Sequence, residues 1–327
     1  MNPALAMIYG QLLAHPWLLE AGAHEALLET LEHASDYSAG ILEELLKQRE
    51  RASAMSIADG VAEIPINGPL LRAPGILERV LLGATDTGAV SAKVSQAMLS
   101  PEVRSILLTI DSPGGAITGI PELAAQVRDA AKKKPVVAFT DGMMGSAAYW
   151  IGSQASTIVA STSANVGSIG VFFPWKDSSK AGEAAGIKTG VVKNTGGTYK
   201  GMGYPGTSYT EEQMAHLQAR ADELFAMFSR DVKSGRKRIQ PEAMRGQAFF
   251  GESARAAGLV DRVSSHIDAW GEAHRRAHGG SNSPAVAYAS PASEYDELKA
   301  RLDESKSPVE RGQIVARIKE LRASLTV

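Results

Sequence analysis

The residues able to do chemistry gather on two glycine-rich turns. In Gly145-Ser146-Ala147-Ala148-Tyr149 a serine is flanked by Gly145 and Ala147, at the start of a helix of small residues. A nucleophile offered to a bulky substrate needs such bare surroundings. The spacing is not G-x-S-x-G, so this is no α/β-hydrolase elbow, and the plain alternative is that Ser146 only caps its helix. The second turn is Asp111-Ser112-Pro113-Gly114-Gly115, after an apolar run ending at Ile110. Pro113 fixes its own φ, while Gly114 and Gly115 allow the backbone to aim N–H groups at an anion, as in an oxyanion hole or a phosphate cradle.

A serine nucleophile needs a base. Of the seven histidines only His216 falls between residues 61 and 260, in a polar helical stretch. A Ser-His-Asp triad is therefore not expected. His274 and His278 stand four apart beside a linker with no third ligand nearby, so no metal site is expected either. The chain has no cysteine, which excludes disulfides, thiolate metal sites and a cysteine nucleophile. Lysine remains, and it serves only where burial lowers its pKa enough to leave a free amine. The Gly-rich run from Val191 to Gly203 supplies two candidates, Lys193 and Lys200.

These groups need a scaffold. Between about 61 and 265, short β-rich runs alternate with helical ones, the pattern of a parallel α/β sheet. Strands are expected at Val61 to Ile66, Ser105 to Ile110, Val136 to Phe139, Thr157 to Ala160, Ile169 to Phe173 and Thr189 to Val192. Without polar alternation, that sheet is buried on both faces. Helices are expected at Gly75 to Leu99, Ile117 to Lys133, Ser146 to Gln154, Lys176 to Gly186 and Thr210 to Ser234, the last opened by a Thr210/Gln213 capping box. Residues 1–58 read as a helical extension, with stripes at Leu27, Leu28 and Leu31 and at Ile41, Leu42, Leu45 and Leu46. Residues 59–270 form the catalytic-size domain, 271–293 a Gly/Ser/Ala/Pro linker and 294–327 a charged helical tail.

In 327 residues, 34 Lys+Arg against 36 Asp+Glu leave a net charge of −2, no footprint for nucleic acid or an anionic membrane. Arg236 to Arg238 read as a solvated turn, and Lys132 to Lys134 as a helix end favoured by its dipole. No run approaches a membrane span and Met1 to Ala14 lacks the basic flank of a secretory signal, so a soluble, cytoplasmic protein is expected.

At these residues the sequence resembles the signal peptide peptidase A family of serine peptidases (S49), and within it the phage head-maturation branch (minor capsid protein C-like). The matched pieces run in the family's order: Val61 to Gly68, Ile110 to Gly115, Gly145 to Tyr149, Val166-Gly167-Ser168-Ile169-Gly170-Val171, Gly197-Thr198-Tyr199-Lys200, and Phe249-Phe250-Gly251 through Asp261. The resemblance covers roughly residues 60 to 265. It implies an α/β, ClpP/crotonase-like parallel sheet with crossover helices, extended by helices at both termini. It aligns Ser146 with the nucleophile, Lys200 with the general base, Gly114 (with Gly115 beside it) with the oxyanion donor, and Ser168 with the serine that orients the lysine. Lys193 precedes the G-x-Y-K element. Family members often carry Ser-Gly-Gly where this chain has Ser146-Ala147-Ala148, which narrows the site.

The implied activity is endoproteolysis by a Ser-Lys dyad without cofactor or metal, on scaffold, portal or capsid proteins during phage head maturation, by a homo-oligomer in the host cytoplasm or prohead. The alternatives are a cytoplasmic signal-peptide-peptidase-like protease, a crotonase-like acyl-CoA enzyme and a noncatalytic assembly protein. The small-residue run Ala285 to Ser290 would suit self-cleavage.

Overall fold

The structure is a computed structural model that describes residues 17–19, 39–175, 177–279 and 315. The chain divides into two units, Met1–Gly280 and Ser281–Val327. Within the first, the elements in order are β1 (Trp17–Leu19), α1 (Ala39–Ala52), β2 (Ser56–Ala58), β3 (Val61–Asn67), β4 (Leu70–Leu71), α2 (Ile76–Leu81), β5 (Thr85–Asp86), α3 (Thr87–Leu99), β6 (Ser105–Asp111), β7 (Gly114–Ala116), α4 (Ile120–Lys133), β8 (Val136–Thr140), β9 (Met143–Gly145), α5 (Ala147–Gly152), β10 (Thr157–Ala160), β11 (Asn165–Gly167), α6 (Ser179–Ala184), α7 (Glu211–Gly235), a 3₁₀ turn (Pro241–Met244), β12 (Ala248–Phe250), α8 (Gly251–Ala256), β13 (Arg262–Val263) and α9 (His266–Ala277).

The β-branched runs build one six-stranded sheet in the order β13-β10-β8-β6-β3-β2, parallel except for the edge strand β2. The architecture is therefore α/β with a parallel sheet and crossover helices, as expected. Side chains alternate across it. Ile64 and Ile66 of β3 join the core with Val90 and Val94 of α3, while Glu63, one position out of phase, meets His266 of α9. Helices thus cover both faces.

At its carboxyl edge each central strand jogs and resumes. β3 continues as β4, β6 as β7, β8 as β9 and β10 as β11. These continuations form two small sheets, β1-β7-β4-β5 and β12-β11-β9. Where they part, Ser112, just before β7, forms an isolated parallel bridge with Met144 of β9. The sheet that is continuous through β6 and β8 therefore splits beyond that bridge, between β7 and β9.

Several expected elements differ. The helix expected over 75–99 is α2, β5 and α3, because Gly83 turns the chain at φ +69°. The strand expected at Ile169 to Phe173 lies earlier, at Asn165–Gly167, and ends where Gly167 and Ser168 take φ +127° and +52°. Residues 189–192 are not a strand: Val191 and Val192 are exposed on a loop. The helix expected from Lys176 to Gly186 is only Ser179–Ala184. Trp17–Leu19, read as helical, is a strand. α9 runs through Ala277, past the boundary drawn at 270. Leu27 to Leu31 and Ala285 to Ser290 lie outside the described residues. The Thr210/Gln213 capping box is present on α7.

Arg236 corrects the reading of a solvated turn. It is buried and pairs with Asp261 at 2.5 Å, while Lys237 and Arg238 are exposed. Asp261 also accepts the Ile158 N–H at 2.8 Å, tying the end of α7 and the run before β13 to β10.

The His266–Glu63 contact, 3.0 Å, locks α9 onto the sheet. The hydrogen bond to the Glu63 carboxylate raises the His266 pKa above its usual value against the opposing effect of burial, with further help from the charges of Glu63 and Asp141. A raised folded pKa means that the stabilisation is complete below the unfolded value, about 6.5, and is lost as pH rises through the folded one. The unfolding midpoint is expected to fall by roughly 2–4 °C from pH 6 to alkaline pH, and His266→Gln should flatten that slope. Thermal scans across this range check it.

Candidate active site

The parallel pairing of β9 with β11 sets Gly145 opposite Gly167. The next residues, Ser146 and Ser168, therefore leave adjacent strand ends together. Both are non-glycine residues at positive φ, +50° and +52°. At Ser146 the pair φ 50°, ψ −115° lies outside the regions open to L-residues, a strain that persists only where the surroundings impose it. Here they do. The Ser146 N–H donates to the Gly167 carbonyl at 2.7 Å and the Ser168 N–H to Gln247 at 2.8 Å.

Behind Ser146, α5 is buried throughout. Trp150 stacks on Phe228 at 4.6 Å and donates its indole N–H to the buried Asp231 at 3.1 Å, while Tyr149 Oη donates to the Leu259 carbonyl at 2.9 Å. Burial raises the Tyr149 pKa, so the phenol stays a donor. These anchors leave α5 no freedom to relax the turn. The Ser146 hydroxyl is itself buried, 1% exposed, and has no hydrogen-bond partner among the described residues. Such a group costs about 1–3 kcal/mol.

The second turn lies alongside. The Ser112 N–H donates to the Met143 carbonyl at 2.7 Å, and the Gly145 N–H returns to the Ser112 carbonyl at 3.0 Å. Gly114, at φ +103°, donates its N–H to Ser112 Oγ at 3.2 Å. Ser112 was not singled out from the sequence, and nothing local distinguishes it from an ordinary turn serine. Only the fold shows it buried with its hydroxyl on the Gly114 amide.

Gly115 is required for a different reason. A Cβ there would lie 1.9 Å from the Leu70 carbonyl oxygen on β4. Gly115→Ala must push β7 off β4 and move the Gly114 amide with it. The expected result is a loss of about 1–3 kcal/mol of stability and a larger loss of any activity that depends on that amide. Chemical denaturation together with kinetics at saturating substrate checks both.

Beside Ser168 is a cleft of about 510 Å³ lined by Ile169, Phe172, Phe225 and Met244, with Asp222 and Arg245 at its polar side. Lys200 is exposed, in the loop between α6 and α7, and is not hydrogen-bonded to Ser146. Lys193 is also exposed and donates to the Thr198 carbonyl at 2.7 Å. Gln213 of α7 donates to the same carbonyl at 2.9 Å, and Tyr199 stacks on His216 at 4.3 Å, so the segment before Lys200 is held against α7. Ser146 and Ser168 thus leave neighbouring strand ends, with the turn at Ser112 hydrogen-bonded alongside, and neither lysine is hydrogen-bonded to Ser146.

The sequence that builds part of this site resembles a known family. Residues 128–278 fit the sequence profile of peptidase family S49. The S49 match runs from within α4 to the end of α9 and includes Ser146, Ser168 and Lys200, but not Gly114 or Gly115. Relatives include capsid assembly protease C of Escherichia phage lambda, 29% identical over 67% of this chain and 50% of that protein. Head-tail preconnector protein GP5 of Enterobacteria phage P21 is 29% identical over 67% and 43%, and Protease 4 of Salmonella typhi is 29% identical over 55% and 29%. The chain spans about half the length of the first curated relatives it matches. Among solved structures, an enoyl-CoA hydratase from Shewanella pealeana overlaps 85% of this chain and 91% of its own at 12% identity and a TM-score of 0.39. Among the described residues, no helix is long and apolar enough to cross a membrane.

Proposed function

We propose that this chain is a serine endopeptidase with Ser146 as nucleophile and Lys200 as general base. The observation that carries the reading is Ser146 itself, a buried hydroxyl without a partner on a strained turn, beside a glycine strand whose amides can face an oxyanion. Folding leaves this cost uncompensated, as functional sites do.

In the reaction, the neutral Lys200 amine accepts the Ser146 proton as Oγ bonds to the peptide carbonyl carbon. The carbonyl π electrons move to oxygen, which the Gly114 N–H stabilises. The tetrahedral intermediate collapses, the C–N bond breaks, and the lysine ammonium returns the proton to the leaving amine. Water, activated by the same amine, then hydrolyses the acyl-enzyme. In this reading Ser168, which follows the strand beside that of Ser146, orients the amine.

An exposed lysine cannot do this. A lysine amine in water holds its proton near neutral pH, so the base acts only once it is covered. The loop that carries Lys200 exposes Ile187, Val191, Val192, Tyr199 and Tyr204, an apolar surface of the kind that marks a contact. In this reading a second copy covers the loop and brings Lys200 to a serine, so the active form is a homo-oligomer. The names of the phage relatives, a capsid assembly protease and a head-tail preconnector, favour scaffold, portal or capsid proteins as substrates.

The decisive test is casein turnover by the purified chain. Turnover that disappears in Ser146→Ala supports the peptidase. Turnover retained in that variant refutes the assignment of the nucleophile. No turnover in the parent chain, with Ser146 unreactive to a fluorophosphonate, leaves the acyl-CoA or assembly alternatives.

A further inference from the structure

The split between β7 and β9 is occupied. β7 pairs with β4 on one edge, and its other edge is the one that β6, β8 and the Ser112–Met144 bridge direct towards β9 and Ser146. On that edge lies β1, antiparallel, with Leu19 opposite Gly114, Leu18 opposite Gly115 and Trp17 opposite Ala116. A short piece of the N-terminal region is thus laid as a strand along the Gly114–Ala116 backbone, beside the turn that carries the proposed oxyanion donor.

Nothing in a parallel α/β fold calls for this. β1 is antiparallel, three residues long and more than 90 positions from its partner in sequence. Strand addition to an open sheet edge is a general way of holding an extended peptide, the backbone giving the affinity. A peptide bound on β7 to reach Ser146 would need the same strand edge with which β1 now pairs. Both cannot pair with one edge at once.

We propose that Trp17–Leu19 is an internal pseudosubstrate. It occupies the peptide-binding edge of β7, and the site opens to other chains only when this segment is displaced. The proposal rests on the peptidase reading for its consequence, and on the backbone pairing alone for the occupancy. Displacement would couple activation to whatever binds the N-terminal region, a partner protein or a neighbouring copy.

Leu18→Pro in the full chain tests it, because proline removes an N–H and disfavours the paired geometry. Two readouts separate the claims. The first is amide hydrogen exchange at Gly114–Ala116 in the Ser146→Ala background, where no chemistry intervenes. Faster exchange in the Leu18→Pro chain, slowed again by a synthetic peptide of residues 14–22, is expected. The second is kcat/KM on a fluorogenic peptide with Ser146 intact. A rise of roughly tenfold is expected if the edge is free about a tenth of the time in the parent, and the 14–22 peptide should compete with the substrate. Leu19→Pro, at the neighbouring position, should behave alike and guards against one misfolded variant. Unchanged exchange overturns the occupancy, whatever the turnover. Faster exchange with unchanged or lower kcat/KM, in chains of equal thermal stability, overturns the inhibitory role. Faster exchange with no turnover by any form of the chain removes the peptidase reading and the inhibition together.

Discussion

Ser146→Ala is expected to lower peptide hydrolysis by about four orders of magnitude or more while leaving the fold as stable as before or slightly more so. The first half follows from removing the atom that forms the acyl bond, since what survives in such variants is only the stabilisation given by binding and oxyanion donors. The second half follows from the orphaned hydroxyl. Ser146 Oγ is buried without a partner, and alanine removes a polar group that folding leaves unsatisfied. A gain of up to about 1 kcal/mol in denaturant unfolding, paired with lost activity, is the signature of a group kept for chemistry. A serine that merely capped α5 would give the opposite sign, because removing a cap destabilises. No side-chain capping bond is made by Ser146.

Lys200→Ala is expected to cost about three orders of magnitude in kcat with little change in stability, since the residue is exposed. One further result tests where the base comes from. Mixing inactive Ser146→Ala with inactive Lys200→Ala should recover activity if the dyad forms between copies, because a mixed pair then holds one intact serine facing one intact lysine. Recovery on mixing, with a larger hydrodynamic size than one chain, supports the intermolecular arrangement. Failure to recover, from a parent that is active as a monomer, removes it. Lys193→Ala is expected to retain activity, since that amine is engaged by the Thr198 carbonyl within its own loop.

The central strands were legible because Val61–Asn67, Ser105–Asp111, Val136–Thr140 and Thr157–Ala160 are continuous apolar runs bounded by turns, and burial on both faces is the reason for such runs. The pair of glycine turns was legible for the same reason, as loops at strand ends. Two strands were misplaced for physical causes. Val191 and Val192 carry strand propensity but sit on an exposed loop, and composition alone does not separate an apolar contact surface from a core strand. Ile169 is buried, yet the positive φ values at Gly167 and Ser168 stop the strand before it. β1 was hidden because its pairing is through the backbone to residues far along the chain, which leaves no local pattern in Trp17-Leu18-Leu19. At the site, types and spacing singled out Ser146 and Gly114. The exposure of Lys200 is a property of the fold around it, and no motif announces it.

The most direct measurement is intact mass and peptide mapping after treatment of the full chain with a fluorophosphonate. A single adduct on Ser146, absent in Ser146→Ala and reduced in Lys200→Ala, is the predicted result. No adduct under conditions where casein is cleaved, or an adduct on another serine, would contradict the account.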